Sequence, residues 1–138
     1  MESIHNGVLM LPRSYFEKEE LLARVIECFP YPIEVYAPDG TTVLVNRAML
    51  NEYHVSDPDE IVGKYNLFKD PSIIASGQMN AVKIAFQGKT VFFPDVKVPL
   101  EAIAKRYGIR DLDVEAVYQD ITLFRMISKS GLCCSVVD

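Results

Sequence analysis

Residues 78–87 carry a polar ribbon only one side chain wide, and that narrowness limits what the chain can fold into. At helical spacing Asn80, Lys83 and Gln87 fall on one line. Met79, Ala81, Val82, Ile84, Ala85 and Phe86 take up the rest of the circumference. A helix wet on a single ribbon is packed on more than one side. The segment is therefore expected to cross a larger apolar surface, with Gly88 closing it. Strands on either side of it in sequence can supply that surface. Residues 33–37 and 41–45 read as two strands joined by the turn Pro38-Asp39-Gly40, in which Pro presets φ and Gly accepts a positive one. Residues 91–98 read as a third strand, with Pro94 marking an edge or a bulge. Residues 114–127 form a long strand-like stretch, residues 128–131 a turn, and residues 132–137 a returning strand.

The remaining segments read as helices. Ser14-Tyr15-Phe16-Glu17 is a capping-box pattern. Leu21, Leu22, Val25, Ile26 and Phe29 follow at helical spacing until Pro30 and Pro32. Residues 15–28 are thus an amphipathic helix, preceded by residues 1–13, which show no period. Asn46 can cap a helix over residues 47–53. Asp57, Pro58 and Glu60 start a short helix that Gly63 ends, and Asp70-Pro71 starts another within a stretch of loop and short helix at 65–77. Residues 100–107 form a last short helix, ended by Gly108. The order is one helix, two strands, three or four short helices and three strands. It lacks the alternation of a doubly wound sheet. The expected fold is α+β, a five-stranded antiparallel sheet with helices crossing one face, plus the N-terminal amphipathic helix. Residues 1–29 form the flanking segment and residues 30–138 the domain.

A chain of 138 residues that is 49% apolar and 24% charged can bury a substantial core as one domain. Its net charge of −5 argues against direct contact with nucleic acid, which needs clustered Lys and Arg. Cys28, Cys133 and Cys134 form neither a disulfide framework nor a zinc pattern, which suits a reducing, cytoplasmic compartment. No run approaches the ~20 apolar residues of a membrane span.

Several strings, in this order, resemble the PAS family. Pro38-Asp39-Gly40 followed by Val43-Leu44-Val45-Asn46-Arg47-Ala48 is similar to its first hairpin and helix start. Glu60-Ile61-Val62-Gly63-Lys64 is similar to its short middle helix, and Ala85-Phe86-Gln87-Gly88-Lys89-Thr90-Val91 to the passage from its central helix into the third strand. Tyr65-Asn66-Leu67-Phe68-Lys69-Asp70-Pro71 resembles a variant found in PAS sensors attached to bacterial histidine kinases and transcription regulators. The resemblance covers residues 20–138. Residues 99–113 depart from it as an insertion. Asp120-Ile121-Thr122, similar to a string that follows the last PAS strand, here falls inside the penultimate one.

The resemblance implies a sensory input domain, not an enzyme, that binds a small molecule or partner and regulates an attached output domain. A ligand-free dimerisation scaffold is the rival. It also implies a ligand pocket between the central helix and the sheet, with Met79, Val82 and Phe86 from the helix and Phe68 from the segment before it. Val35, Phe93 and Tyr118 are the strand candidates, and the expected cavity is a few hundred cubic ångströms. These side chains could equally fill the space as plain core. The helix at 15–28 is the expected homodimer element if its apolar stripe stays exposed. Haem is disfavoured, because His5 and His54 are off the central helix where haem-binding PAS domains place their ligand. Covalent flavin is disfavoured, because residues 66–76 hold no Cys. Asp57, Asp59 and Glu60 are explained by a helix N-terminus without a metal. Lys105, Arg106 and Arg110 form a small basic cluster best read as a solvated face. Cys133 and Cys134 alternate on a strand, so one is expected in the core and the other exposed, with nothing basic near to activate a thiol.

Overall fold

The computed structural model describes residues 15–107, 117–127 and 130–138, together with the pairs Ile4–His5 and Val8–Leu9. Helix α1 is Tyr15–Cys28, α2 Arg47–Glu52, α3 Pro71–Ser76, α4 Met79–Phe86 and α5 Leu100–Tyr107. Strands β1 (Ile4–His5) and β2 (Val8–Leu9) pair with each other and are too short to have left a period in the sequence. The main sheet comprises β3 (Ile33–Tyr36), β4 (Thr42–Val45), β5 (Val91–Val98), β6 (Val117–Arg125) and β7 (Cys133–Val137). Its order is β4-β3-β7-β6-β5 and every neighbouring pair is antiparallel. Ser14, Gly108, Arg110, residues 114–116, the Ser128-Lys129 half of the last turn and the Arg106 side chain lie outside the described residues. Lys105 is exposed.

Local chemistry sets the junctions. Asn46 is fully buried and caps α2 by accepting from the Met49 amide at 3.0 Å. The same oxygen accepts from the Ile33 amide at 2.9 Å, and the Asn46 amide group donates to the carbonyls of Ile26 and Tyr31, both at 3.0 Å. One side chain thus ties the end of α1 to the start of the sheet. Asp57 and Asp70 cap their helical turns as expected, accepting from the amides of Asp59 and Ser72. Gly40 has φ +91°, and a Cβ there would come within 2.7 Å of both Asn66 and Phe68. The hairpin turn holds that segment directly, through the Leu67 amide on the Gly40 carbonyl and the Asn66 side chain on the Asp39 carbonyl.

The larger core cluster lies between α2–α4 and one face of the sheet, where Leu50, Val82, Ala85, Phe93 and Leu123 are buried. A smaller one lies on the other face, where Ile33, Val35 and Cys134 are covered in part by Ile26 of α1. Helix α4 lies against β5 and β6 and buries Val82 and Ala85. Its wet side is wider than the sequence suggests, because Ile84 is 43% exposed beside Asn80, Lys83 and Gln87. Pro94 sits in a bulge, where the register shifts between Phe93 and Val96 and Asp95 takes φ +51°. The bulge turns both Phe93 and Val96 toward the larger core.

Candidate functional site: a cavity under the helices

Strand parity decides which side chains reach the space under α2–α4. In β3, Glu34 and Tyr36 point inward, whereas Ile33 and Val35 point to the α1 side. In β6, Gln119, Ile121 and Leu123 point inward, and in β7 Ser135 and Val137 do. With Met49, Tyr53, Leu67 and Val82 above them they enclose a cavity of about 70 Å³. An adjoining cavity of about 90 Å³ shares Glu34, Tyr36 and Tyr53 and extends to Tyr65, Asp70 and Ser72, with the exposed Lys97 on its wall. Both are smaller than the expected few hundred cubic ångströms, yet large enough for several waters or a compact ligand.

The walls are mostly apolar, but they carry buried polar and ionisable side chains that a plain core does not need. Glu34 is 3% exposed. Its carboxyl accepts from the Thr42 hydroxyl at 2.6 Å and from the Tyr36 hydroxyl at 3.1 Å, and Tyr36 lies 3.3 Å from the Ser135 hydroxyl. Burial pushes the Glu34 pKa up to about 7; the Thr42 and Tyr36 hydroxyls pull it back, and the Asp70 charge raises it further. Burial likewise raises Tyr36, Tyr53 and Tyr65 above the ordinary phenol value, so their hydroxyls stay protonated at neutral pH. Tyr65 donates to Asp70 across the second cavity. Gln119 is 3% exposed, and neither its amide nitrogen nor its oxygen has a hydrogen-bond partner among the described residues. The amide lies close enough to the Tyr53 hydroxyl to favour its ionised form slightly, but the pair does not reach hydrogen-bond geometry. An orphaned buried amide costs about 1–3 kcal/mol, so something polar belongs beside it.

Of the residues singled out from the sequence, Val82 and Phe93 line the first cavity. Phe68, Met79 and Phe86 pack against the same core but line neither cavity. The Phe68 and Phe86 rings lie 4.7 Å apart, and Phe86 lies 6.3 Å from Tyr36, so these aromatics fill space instead of bounding it. Val35 and Tyr118 require correction. Val35 faces the α1 side, one residue out of phase with Glu34 and Tyr36. Tyr118 is 64% exposed, one residue out of phase with Gln119. Choosing strand residues by apolar type selected the wrong parity. Cys133 and Cys134 do alternate, but both are buried, because each face of β7 has its own cluster. Contrary to the expectation that nothing basic lies near, Arg125 pairs across the strands with Cys133 and pulls its thiol down; burial outweighs it and raises both thiols, that of Cys134 to about 11, which leaves them poor nucleophiles. The cavity's own polar groups went unselected. The signal was present: Glu34 alternates with Ile33 and Val35, and Gln119 is in phase with Ile121 and Leu123.

An antiparallel sheet in this order, with short helices roofing a cavity on one face, defines the PAS fold, and solved structures place the chain in it. A PAS domain of an HTR-like protein from Haloarcula marismortui superposes with a TM-score of 0.64 at 18% identity, over 89% of this chain and 97% of that one. A domain of a sensory box sensor histidine kinase/response regulator from Geobacter sulfurreducens gives 0.65 at 13% identity, over 91% and 96%. The photoactive yellow protein domain of the sensor histidine kinase Ppr from Rhodospirillum centenum gives 0.55 at 15%, over 81% and 88%. No family model and no curated sequence matches the chain. Among the described residues no helix is long and apolar enough to cross a membrane.

Proposed function

We propose that this chain is a PAS-type sensory input domain without catalytic activity. A small molecule in the cavity biases its packing, and the bias passes to an output domain such as a histidine kinase or transcription regulator. Gln119, which lines the cavity with Glu34 and has no partner among the described residues, carries this reading, because a plain core would not leave a buried amide unpaired. The route outward is short. Glu34 adjoins Ile33, whose amide binds Asn46, and Asn46 holds the end of α1. A ligand acts through this route only by binding two packings with different free energies. A cytoplasmic setting suits the free thiols.

A homodimer through α1 belongs to the same proposal. Leu21, Leu22 and Val25 form an apolar stripe that is about half exposed on each. That stripe also supports the second reading, a ligand-free dimerisation scaffold. Native mass spectrometry of the purified chain separates the two. A stoichiometric bound small molecule supports sensing, whereas a dimer of bare chains supports scaffolding and removes the sensory reading.

A further inference from the structure

The cavity walls carry an imbalance of charge. Glu34 and Asp70 both line the second cavity, and neither is in an ion pair among the described residues. The charged lysine on that wall, Lys97, is exposed. Tyr36, Tyr53 and Tyr65 bring neutral hydroxyls and aromatic surface. Each carboxylate holds up to four acceptor sites. Two donors reach Glu34, the Thr42 and Tyr36 hydroxyls, and two reach Asp70, the Ser72 amide and the Tyr65 hydroxyl. Among the described residues acceptor capacity is left over, and no side-chain cation meets it. An anion would meet two acids there. An ammonium group brings three donors, no acceptor and the missing charge, and aromatic walls favour it further.

The first cavity sets the other end. Among the described residues Gln119, 3% exposed, presents an unpartnered donor and an unpartnered acceptor in the cavity that shares the Glu34 wall. A hydroxyl or amide satisfies both. Volumes of about 70 and 90 Å³ limit the occupant to a few heavy atoms. We propose that the cavity binds a small organic ammonium ion, its cationic end between Glu34 and Asp70 and its polar tail on Gln119. This rests on the sensory reading and names the ligand class for it.

The test is titration of the 138-residue chain with ethanolammonium chloride, followed by two-dimensional amide NMR. It is run at about pH 8, above the Glu34 value of about 7. Ethylene glycol is the neutral isostere. Ethanolammonium should saturate, shifting amides around residues 34, 70 and 119, and bind at least about tenfold more tightly than ethylene glycol, the effect expected of a buried charge-assisted contact. Glu34→Gln keeps the size of the side chain and removes its charge, and it exchanges one acceptor oxygen for an NH2 donor that the Thr42 or Tyr36 hydroxyl can meet by turning to accept. It should remove that advantage and leave ethylene glycol unchanged. Gln119→Leu should weaken ethanolammonium about fivefold and leave methylammonium, which has no tail, unaffected. Equal affinity for the two isosteres, or an ethanolammonium affinity indifferent to Glu34→Gln, overturns the ammonium class. So does a failure of ethanolammonium and methylammonium to saturate. A stoichiometric neutral molecule in the native mass spectrum would then leave the sensory reading standing alone.

Discussion

The two faces of the sheet are built from the same strands and solve different problems. The inner face buries ionisable groups beside a cavity: Glu34, Tyr36, Gln119 and Ser135 alternate out of strands whose other residues face away. The outer face has a small dry cluster, Ile33, Val35 and Cys134 beneath Ile26, and beyond it large side chains in water, Phe92 at 56% and Tyr118 at 64% exposure. On the inner face hydrophobic burial is partly given up for polar groups that a core does not need. On the outer face apolar groups are exposed that a monomer does not need. Under the proposed function, the inner departure suits a small molecule and the outer one another protein surface.

Asn46 joins the two faces, so its removal should have the largest effect. Asn46→Ala strips the α2 cap and leaves the Ile33 amide and the carbonyls of Ile26 and Tyr31 without their partner. Loss of a cap plus buried unsatisfied groups amounts to about 3 kcal/mol in urea unfolding. If the faces are separable, hydrogen exchange should rise first in α1 while β5 and β6 keep their protection. Uniform loss of protection would show that the faces form one cooperative unit.

Glu34 gives the next largest effect, and it depends on pH. Its pKa is raised in the folded state, from an ordinary 4.5 to about 7. Its contribution to stability is therefore full below about pH 4.5 and is lost as pH rises through about 7, a loss of about 3 kcal/mol if no cation compensates. Glu34→Gln should flatten the unfolding free energy across that window. The variant should be the more stable protein at alkaline pH and differ little from the parent at acid pH. A parent protein whose stability rises from acid to neutral pH would mean that the carboxylate is already paired.

Much of the fold was legible because its signals are local. The Pro38-Asp39-Gly40 turn, the Asn46, Asp57 and Asp70 caps and the Pro94 bulge all act within a few residues and stand where the sequence puts them, and α4 forms where its pattern predicts, though with a wet side widened by Ile84. The cavity was less legible, since it depends on which face each strand turns inward, and short strands leave that parity weakly marked. Val35 and Tyr118 look like pocket residues by type, whereas Glu34 and Gln119 look like surface residues by type. Nothing local indicates that both faces of β3 are covered. That requires α1 to fold back over the sheet, which Asn46 arranges through partners 15 and 20 residues earlier in the chain.

The smallest effect on stability should come from the outer face, where it is most informative. Val25 is 54% exposed on α1 and belongs to neither core cluster. Val25→Glu should leave the urea midpoint of the monomer within about 0.5 kcal/mol of the parent. If the exposed stripe is a dimer seam, the same charge is buried against its copy and dissociation should rise at least about tenfold in analytical ultracentrifugation. Tyr118→Thr, on the far side of the same face, gives the contrast: unchanged stability, unchanged cavity occupancy and, if the seam is confined to α1, unchanged association. Equal weakening by both variants would move the seam onto the sheet itself, and weakening by neither would leave the outer face without a self-partner.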